Sequence, residues 1–291
     1  MPTLIRNADI LAPAALGRAD VLVEGPRITA VEPEIDLAGA HVEVIDASGR
    51  LLVPGFVDAL THPAGGGGEG GFGNRTGEIE ADDFICAGIT SPIGALGTDW
   101  VGRSLEVLFG KTLALRSRGI SAYMYSGAYR VPPETLTGQV TRDLVLIDPV
   151  IGIGETAISD HRSSAPTAAE LARIAADARV GGIVAGKGGT VMVHVGDGAS
   201  RLDPLREALE VGDLPISAFY PTHCNRNAAL LEDAIAFARD GGTIDFTVST
   251  TDEFIAAGEI PALDGLVTAL AAGVPAERVT LSTDAGGSLP L

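Results

Sequence analysis

The pattern of apolar and polar positions divides the chain into two regimes. Between residues 2 and 53, short β-rich runs at 4–11, 20–24, 27–31 and 42–46 are separated by turn residues, with Gly25-Pro26 between two of them. This predicts a small N-terminal β unit. From residue 51 onward the runs lengthen into apolar β-type segments at 51–58, 88–94, 120–126, 150–158, 190–195, 216–222, 243–249 and 278–283. Helix-like stretches lie between them, such as 167–180, which starts at Pro166-Thr167, and 227–240, which ends at Gly241-Gly242. Strands that alternate with helices pair in parallel through crossovers, and eight such units predict a closed (β/α)8 TIM-like barrel. The rival is an open doubly wound sheet. That sheet gathers its chemistry at one switch point, whereas here polar residues follow the carboxyl ends of many strands.

Three histidines occupy that position: His62 after Asp58-Ala59-Leu60-Thr61, His194 in Met192-Val193-His194, and His223 after Tyr220-Pro221-Thr222. Glu155 and Asp284 stand at the same relative place after Gly152-Ile153-Gly154 and Leu281-Ser282-Thr283. Each histidine alone is more readily read as a hydrogen-bonded structural residue. Five such strand ends aimed at one mouth form the imidazole and carboxylate set that Zn²⁺ requires. Five exceed the ligands one zinc uses, so two ions sharing a carboxylate are expected. Gly65-Gly66-Gly67-Gly68 follows the first barrel strand, where backbone can approach a ligand closely or form a plain surface loop.

Composition narrows the partners. There are 38 acidic against 20 basic side chains, a net charge of −18, which opposes binding to a phosphate backbone. No nucleic acid partner is expected. No apolar run is long enough to span a bilayer and the N-terminus lacks a signal-peptide pattern, so no membrane partner and a cytoplasmic location are expected. The two cysteines, Cys86 and Cys224, are too few for a disulfide framework and fit a reducing compartment.

Specific motifs carry a resemblance that runs over nearly the whole chain. Val53-Pro54-Gly55-Phe56-Val57-Asp58, Ile158-Ser159-Asp160-His161-Arg162 and Pro221-Thr222-His223-Cys224-Asn225-Arg226-Asn227 resemble the isoaspartyl (β-aspartyl) dipeptidases of the amidohydrolase superfamily. The resemblance implies a metal-dependent hydrolase barrel over 51–291 behind a small β-sandwich domain over 1–50. It also implies hydrolysis of the isopeptide bond of β-aspartyl dipeptides by a metal-bound hydroxide. His62 and Asp284 would ligate the first ion, His194 and His223 the second, with Glu155 as the bridge where some members carry a carboxylated lysine. Asp284 would also shuttle the proton, and Tyr129 would stabilise the oxyanion. Glu69 would hold the substrate's α-ammonium, Arg162 and Arg226 its carboxylates, and Thr98 and Ser288 would make further substrate contacts. A homo-oligomer is expected. His161 is read as orienting Arg162 or a nearby carboxylate, His41 as an exposed β-edge residue, and Cys224 as a small buried side chain.

Two departures qualify the resemblance. The superfamily opens its metal site with His-x-His, but Leu60-Thr61-His62 stands here, and leucine cannot ligate a metal. Family members also continue well past residue 291, so the resemblance implies only the N-terminal part of the β domain and a barrel without its final helices. Two other readings therefore stand beside the dipeptidase: a dihydroorotase-like or hydantoinase-like cyclic-amide hydrolase, whose ring substrate offers Glu69 no ammonium, and a truncated, catalytically silent relative.

Overall fold

A computed structural model describes residues 1–37 and 41–288. The chain separates into two compact units, Met1–Phe56 and Val57–Leu291.

The first unit is one sheet. Strands β1 (Thr3–Leu11), β2 (Ala15–Glu24) and β3 (Arg27–Glu32) form an antiparallel meander, and β4 (Glu43–Asp46) and β5 (Leu51–Leu52) pair with β1 in parallel. Gly25, at φ +57°, makes the β2–β3 turn. Ala8, Ile10, Ala19, Val21 and Ala47 pack as its core. The buried Asp20 carboxylate accepts from the backbone N–H groups of Asn7 and Ile35, which ties the segment after β3 to the sheet.

The second unit supplies eight strands: β6 (Phe56–Thr61), β7 (Ile89–Gly94), β8 (Tyr123–Ser126), β9 (Val150–Ile158), β10 (Thr190–Val195), β11 (Phe219–Thr222), β12 (Ile244–Thr247) and β13 (Val279–Ser282). Helices α1 (Ala81–Cys86), α2 (Leu105–Ser117), α3 (Val140–Leu146), α4 (Ala168–Ala185), α5 (Asp203–Gly212), α6 (Ala228–Arg239), α7 (Asp252–Ala256) and α8 (Ala262–Ala271) lie between them in sequence. This is the α/β barrel fold expected. Strands β6 to β11 form a six-stranded sheet in sequence order, and β12 pairs with β13. Two joints complete the ring. At one, the Cys224 N–H donates to the Asp245 carbonyl at 3.0 Å; at the other, the His62 N–H donates to the Ala285 carbonyl at 2.7 Å and the Asp284 N–H to the Leu60 carbonyl at 3.0 Å.

Element boundaries follow local chemistry. The apolar run expected as one strand at 51–58 is split, because Pro54 has no N–H to offer a ladder: Leu51–Leu52 joins the small sheet and the barrel strand starts at Phe56. The strands expected at 216–222 and 278–283 begin later, at Phe219 and Val279, since Pro215 and Pro275 each start a short 3₁₀ turn first. Helix α4 opens on a capping box, with Thr167 accepting from the Glu170 N–H and Glu170 reaching back, and closes on Gly186 at φ +65°.

Strand alternation sorts the side chains. Val191, Val193 and Val195 face the helices and pack with Leu171, Ala175 and Leu205, while Met192 faces the barrel interior beside Leu60 and Tyr125. His194 shares the Met192 face, so it too points inward.

Two buried carboxylates reinforce the joints. Asp245 accepts from Thr222 Oγ1 at 2.7 Å, Thr280 Oγ1 at 2.6 Å and Ser282 Oγ at 2.5 Å, and so links β11, β12 and β13. Asp58 accepts from the Thr283 N–H at 3.0 Å and from its hydroxyl, which links β6 to the end of β13. Burial raises the Asp245 pKa to about 6 against the lowering effect of those hydroxyls. A folded-state pKa above the unfolded one gives stability that is present below about pH 4 and lost as pH rises through about 6. The Asp245 contribution to stability, read by denaturant unfolding, should therefore fall by roughly 3 kcal/mol over that interval, and Asp245→Asn should remove that part of the slope. Identical slopes in the two proteins would refute this assignment.

Candidate active site

The carboxyl ends of the barrel strands open into a cavity of about 360 Å³ lined by His62, Glu69, Tyr129, Arg162, His194, His223, Arg226, Asp284 and Ser288, among others. Glu155 is buried at its floor. Its Oε1 lies 2.8 Å from His194 Nδ1 and 3.1 Å from His223 Nε2, and its Oε2 lies 3.7 Å from His62 Nε2. His62 Nε2 is also 2.9 Å from Asp284 Oδ1. Four of the five residues expected as ligands thus line the cavity, and the fifth, Glu155, is buried against the three histidines.

Each histidine is held by its other nitrogen. His62 Nδ1 meets the Ala95 carbonyl at 3.1 Å, His194 Nε2 meets Asp160 Oδ2 at 2.8 Å, and His223 Nδ1 meets Thr247 Oγ1 at 2.5 Å. The free nitrogens all turn toward Glu155 or Asp284. Metal-binding histidines are oriented in this way, with the outer nitrogen anchored to protein. Sequence reasoning missed Asp160 and Thr247. Thr247 had a usable signal, as the last residue of β12, at the position that histidines and carboxylates take on other strands. Asp160 had none beyond its place two residues before Arg162.

The donor set fits a cation. Among the described residues, Glu155, His194 and His223 place one ligand atom each within 4.8 Å of one another. Glu155 Oε2 is buried without a hydrogen-bond partner. Burial favours the neutral form of Glu155, but the hydrogen bonds from His194 and His223 outweigh it and hold the carboxyl well below its ordinary pKa. Burial pushes His223 down to about 4, which keeps its imidazole neutral as a metal ligand requires. His62 moves the other way. Burial opposes its charge, yet the Asp284 hydrogen bond and the Asp284 and Glu155 charges raise it to about 9. The surroundings of His62 Nε2, two carboxylates, thus favour positive charge.

A second group of charges lies above this wall. Arg162 makes a two-pronged pair with Asp160, at 2.9 and 2.8 Å, and its Nη1 donates to Glu69 Oε1 at 3.0 Å. The Ser288 hydroxyl donates to Glu69 Oε2 at 2.6 Å. Partial burial works against the Glu69 charge, but hydrogen bonds from Ser288, the Glu69 backbone, Thr98 and Arg162 keep its pKa below the ordinary value. Arg226 Nε is anchored on the Val195 carbonyl at 3.1 Å. The Tyr129 hydroxyl lies 2.8 Å from His194 Nδ1, and burial pushes its pKa well above the usual phenol value. Thr98 lies beside Glu69, on a smaller cavity of about 260 Å³ that shares Glu69 with the first.

The remaining candidates take structural places. His161 is 84% exposed and faces Asp160 Oδ1 at 3.5 Å. His41 is exposed. Cys224 is buried, and burial raises its thiol pKa, which removes the thiolate a nucleophile needs. Leu60 is fully buried in the barrel interior with Ala59, Ile93 and Met192.

A crystal structure of β-aspartyl dipeptidase from the thermophilic, keratin-degrading Fervidobacterium islandicum AW-1 superposes with a TM-score of 0.92 at 43% identity, over 99% of this chain and 77% of that one. The chain belongs to the β-aspartyl dipeptidase family. The Fervidobacterium dipeptidase in complex with β-Asp-Leu dipeptide matches equally well, at TM-score 0.92 and 44% identity over 100% of this chain and 76% of that one. A dihydroorotase structure shares the fold at TM-score 0.62 and 17% identity, over 97% of this chain and 72% of that one. Among curated proteins, a dihydroorotase of Staphylococcus epidermidis is 41% identical over 66 residues, 23% of this chain and 16% of that protein, so the match spans about a sixth of the dihydroorotase. No family profile matches the chain. No helix among the described residues of this β-aspartyl dipeptidase family member is long and apolar enough to cross a membrane.

Proposed function

We propose that this chain hydrolyses the isopeptide bond of β-aspartyl dipeptides with Zn²⁺ as its cofactor. The observation that carries the reading is one cavity in which the Glu155–His194–His223 donor set lies beneath a Glu69–Arg162 pair that offers both charges. A free amino acid end carries both complementary charges, so its ammonium takes Glu69 and its carboxylate takes a guanidinium.

Two zinc ions would be held, His194 and His223 serving one, His62 and Asp284 the other, with Glu155 between them. When bound, such ions supply an acidified water at neutral pH and polarise the scissile carbonyl. The protein's own groups do the rest. Glu69, steadied by Ser288, binds the α-ammonium, and Arg162 and Arg226 bind carboxylates, so the side-chain amide is presented at the cavity floor. Tyr129 donates a hydrogen bond to the carbonyl oxygen as negative charge develops there. Asp284 accepts the proton of the attacking water and passes it to the leaving amine nitrogen as the carbon–nitrogen bond breaks. The exposed free thiol of Cys86 suits a reducing, cytoplasmic setting.

The local match to dihydroorotases favours a second reading, a cyclic-amide hydrolase. A ring amide leaves Glu69 without an ammonium to bind. Zinc-loaded protein should release leucine from β-Asp-Leu and leave dihydroorotate intact. Turnover of dihydroorotate alone would install the second reading. No turnover, with no metal found by elemental analysis, would instead support a silent relative, for which Leu60 is the residue in evidence.

A further inference from the structure

Asp160 stands where the two halves of the site meet. Its side chain is 3% exposed and is held by four contacts shorter than 3 Å. Oδ1 takes the Arg162 backbone N–H at 2.8 Å and Arg162 Nε at 2.9 Å; Oδ2 takes Arg162 Nη2 at 2.8 Å and His194 Nε2 at 2.8 Å. Each nitrogen of His194 faces a carboxylate, Asp160 at Nε2 and Glu155 at Nδ1, so with a cation at Nδ1 the remaining proton would be held on Nε2 by Asp160. Nδ1 is the nitrogen on the side of Glu155 and Tyr129. At its other end Arg162 reaches Glu69. A chain of contacts therefore runs from Glu69 through Arg162 and Asp160 to His194, beside a longer direct contact of Arg162 Nη2 with His194 Nε2 at 3.2 Å.

The backbone is shaped for this link. The Gly198 N–H donates to the Ser159 carbonyl at 2.8 Å, and a Cβ on Gly196 would lie 2.5 Å from Asp160 Cβ and 2.3 Å from the Ser159 carbonyl oxygen. Only glycine lets the end of β10 press against Asp160 closely enough for the carboxylate to reach His194.

We propose that Asp160 is a positioning residue that fixes the His194 tautomer and the Arg162 head together, so that metal ligand and substrate clamp are held as one unit. The proposal rests on the dipeptidase reading for the role of Arg162, but its main test needs no turnover. Metal-free full chain is titrated with Co²⁺, and affinity is read from the visible absorption band against a competing chelator. Asp160→Asn keeps the volume but sets an amide N–H₂ against a donor, so it should bind Co²⁺ about 10 to 100-fold more weakly, with an altered band. In zinc-loaded protein the same variant should raise KM for β-Asp-Leu about ten-fold, through the misdirected guanidinium.

Arg162→Met is the second arm. Arg162 meets His194 at Nε2, 3.2 Å away, and not at the Nδ1 that faces Glu155, and its loss removes the clamp that holds Asp160. Co²⁺ affinity should fall about three-fold or more. A folded Asp160→Asn, verified by circular dichroism, with wild-type Co²⁺ affinity overturns the proposal. Wild-type Co²⁺ affinity in Arg162→Met overturns the coupling, and this arm decides alone if Asp160→Asn does not fold. Failure of wild-type protein to cleave β-Asp-Leu sinks the dipeptidase reading and leaves the cobalt result standing.

Discussion

Glu155→Ala should lose metal and activity together, with kcat/KM for β-Asp-Leu reduced by at least about 10³-fold, well beyond the 10 to 100-fold typical of a residue that only supports a ligand. Glu155 is the one carboxylate that approaches all three inward histidines, at 2.8, 3.1 and 3.7 Å. Its removal leaves no anion between His194 and His223 and only Asp284 beside His62, so the cavity no longer offers a divalent cation its charge balance. The metal-free fold should survive, because an ionised, buried carboxylate is costly to keep and its loss relieves that cost. Elemental analysis, steady-state kinetics and a thermal melt on the same preparation test this. A variant that keeps both its metal and its turnover would show that Glu155 is no bridge.

Tyr129→Phe should separate chemistry from binding. We expect kcat to fall about 10² to 10³-fold, the usual cost of one oxyanion donor, with KM and metal content nearly unchanged. Burial keeps the phenol protonated throughout the working range of pH, so Tyr129 is a hydrogen-bond donor and never a base. Its hydroxyl lies 2.8 Å from His194 Nδ1, beside the expected metal ligands. An unchanged kcat would remove Tyr129 from the chemistry; a raised KM with unchanged kcat would make it a binding group.

Much of this architecture is written in short-range patterns. Alternation along β10 places Met192 and His194 on one face and Val191, Val193 and Val195 on the other, and the caps Thr167 and Asn227 mark the starts of α4 and α6. The positions of His62, Glu155, His194, His223 and Asp284 in the carboxyl-terminal part of five of the eight barrel strands or just after them likewise foretell that they converge, since a barrel brings its strand ends to one mouth. What the sequence hides is contact between distant side chains. Asp160 and Thr247 hold His194 and His223 from other loops and strands, and nothing in their neighbours along the chain marks that partnership. The split at Pro54 was hidden for a different reason, because the apolar run continues on both sides of it while the backbone changes sheets.

The two joints of the barrel also bear on how this chain avoids sticking to its neighbours. A closed ring has no free strand edge, and an opened one exposes unpaired N–H and C=O groups that can template pairing with another molecule. Here the joints of β11 with β12 and of β13 with β6 are the places where the continuous ladders stop. Asp245 and Asp58 sit at those same joints. Any transient opening would uncover an edge that carries a carboxylate, and charge on an edge is a deterrent to strand addition. The residues that fasten the ring also guard the gaps it would leave.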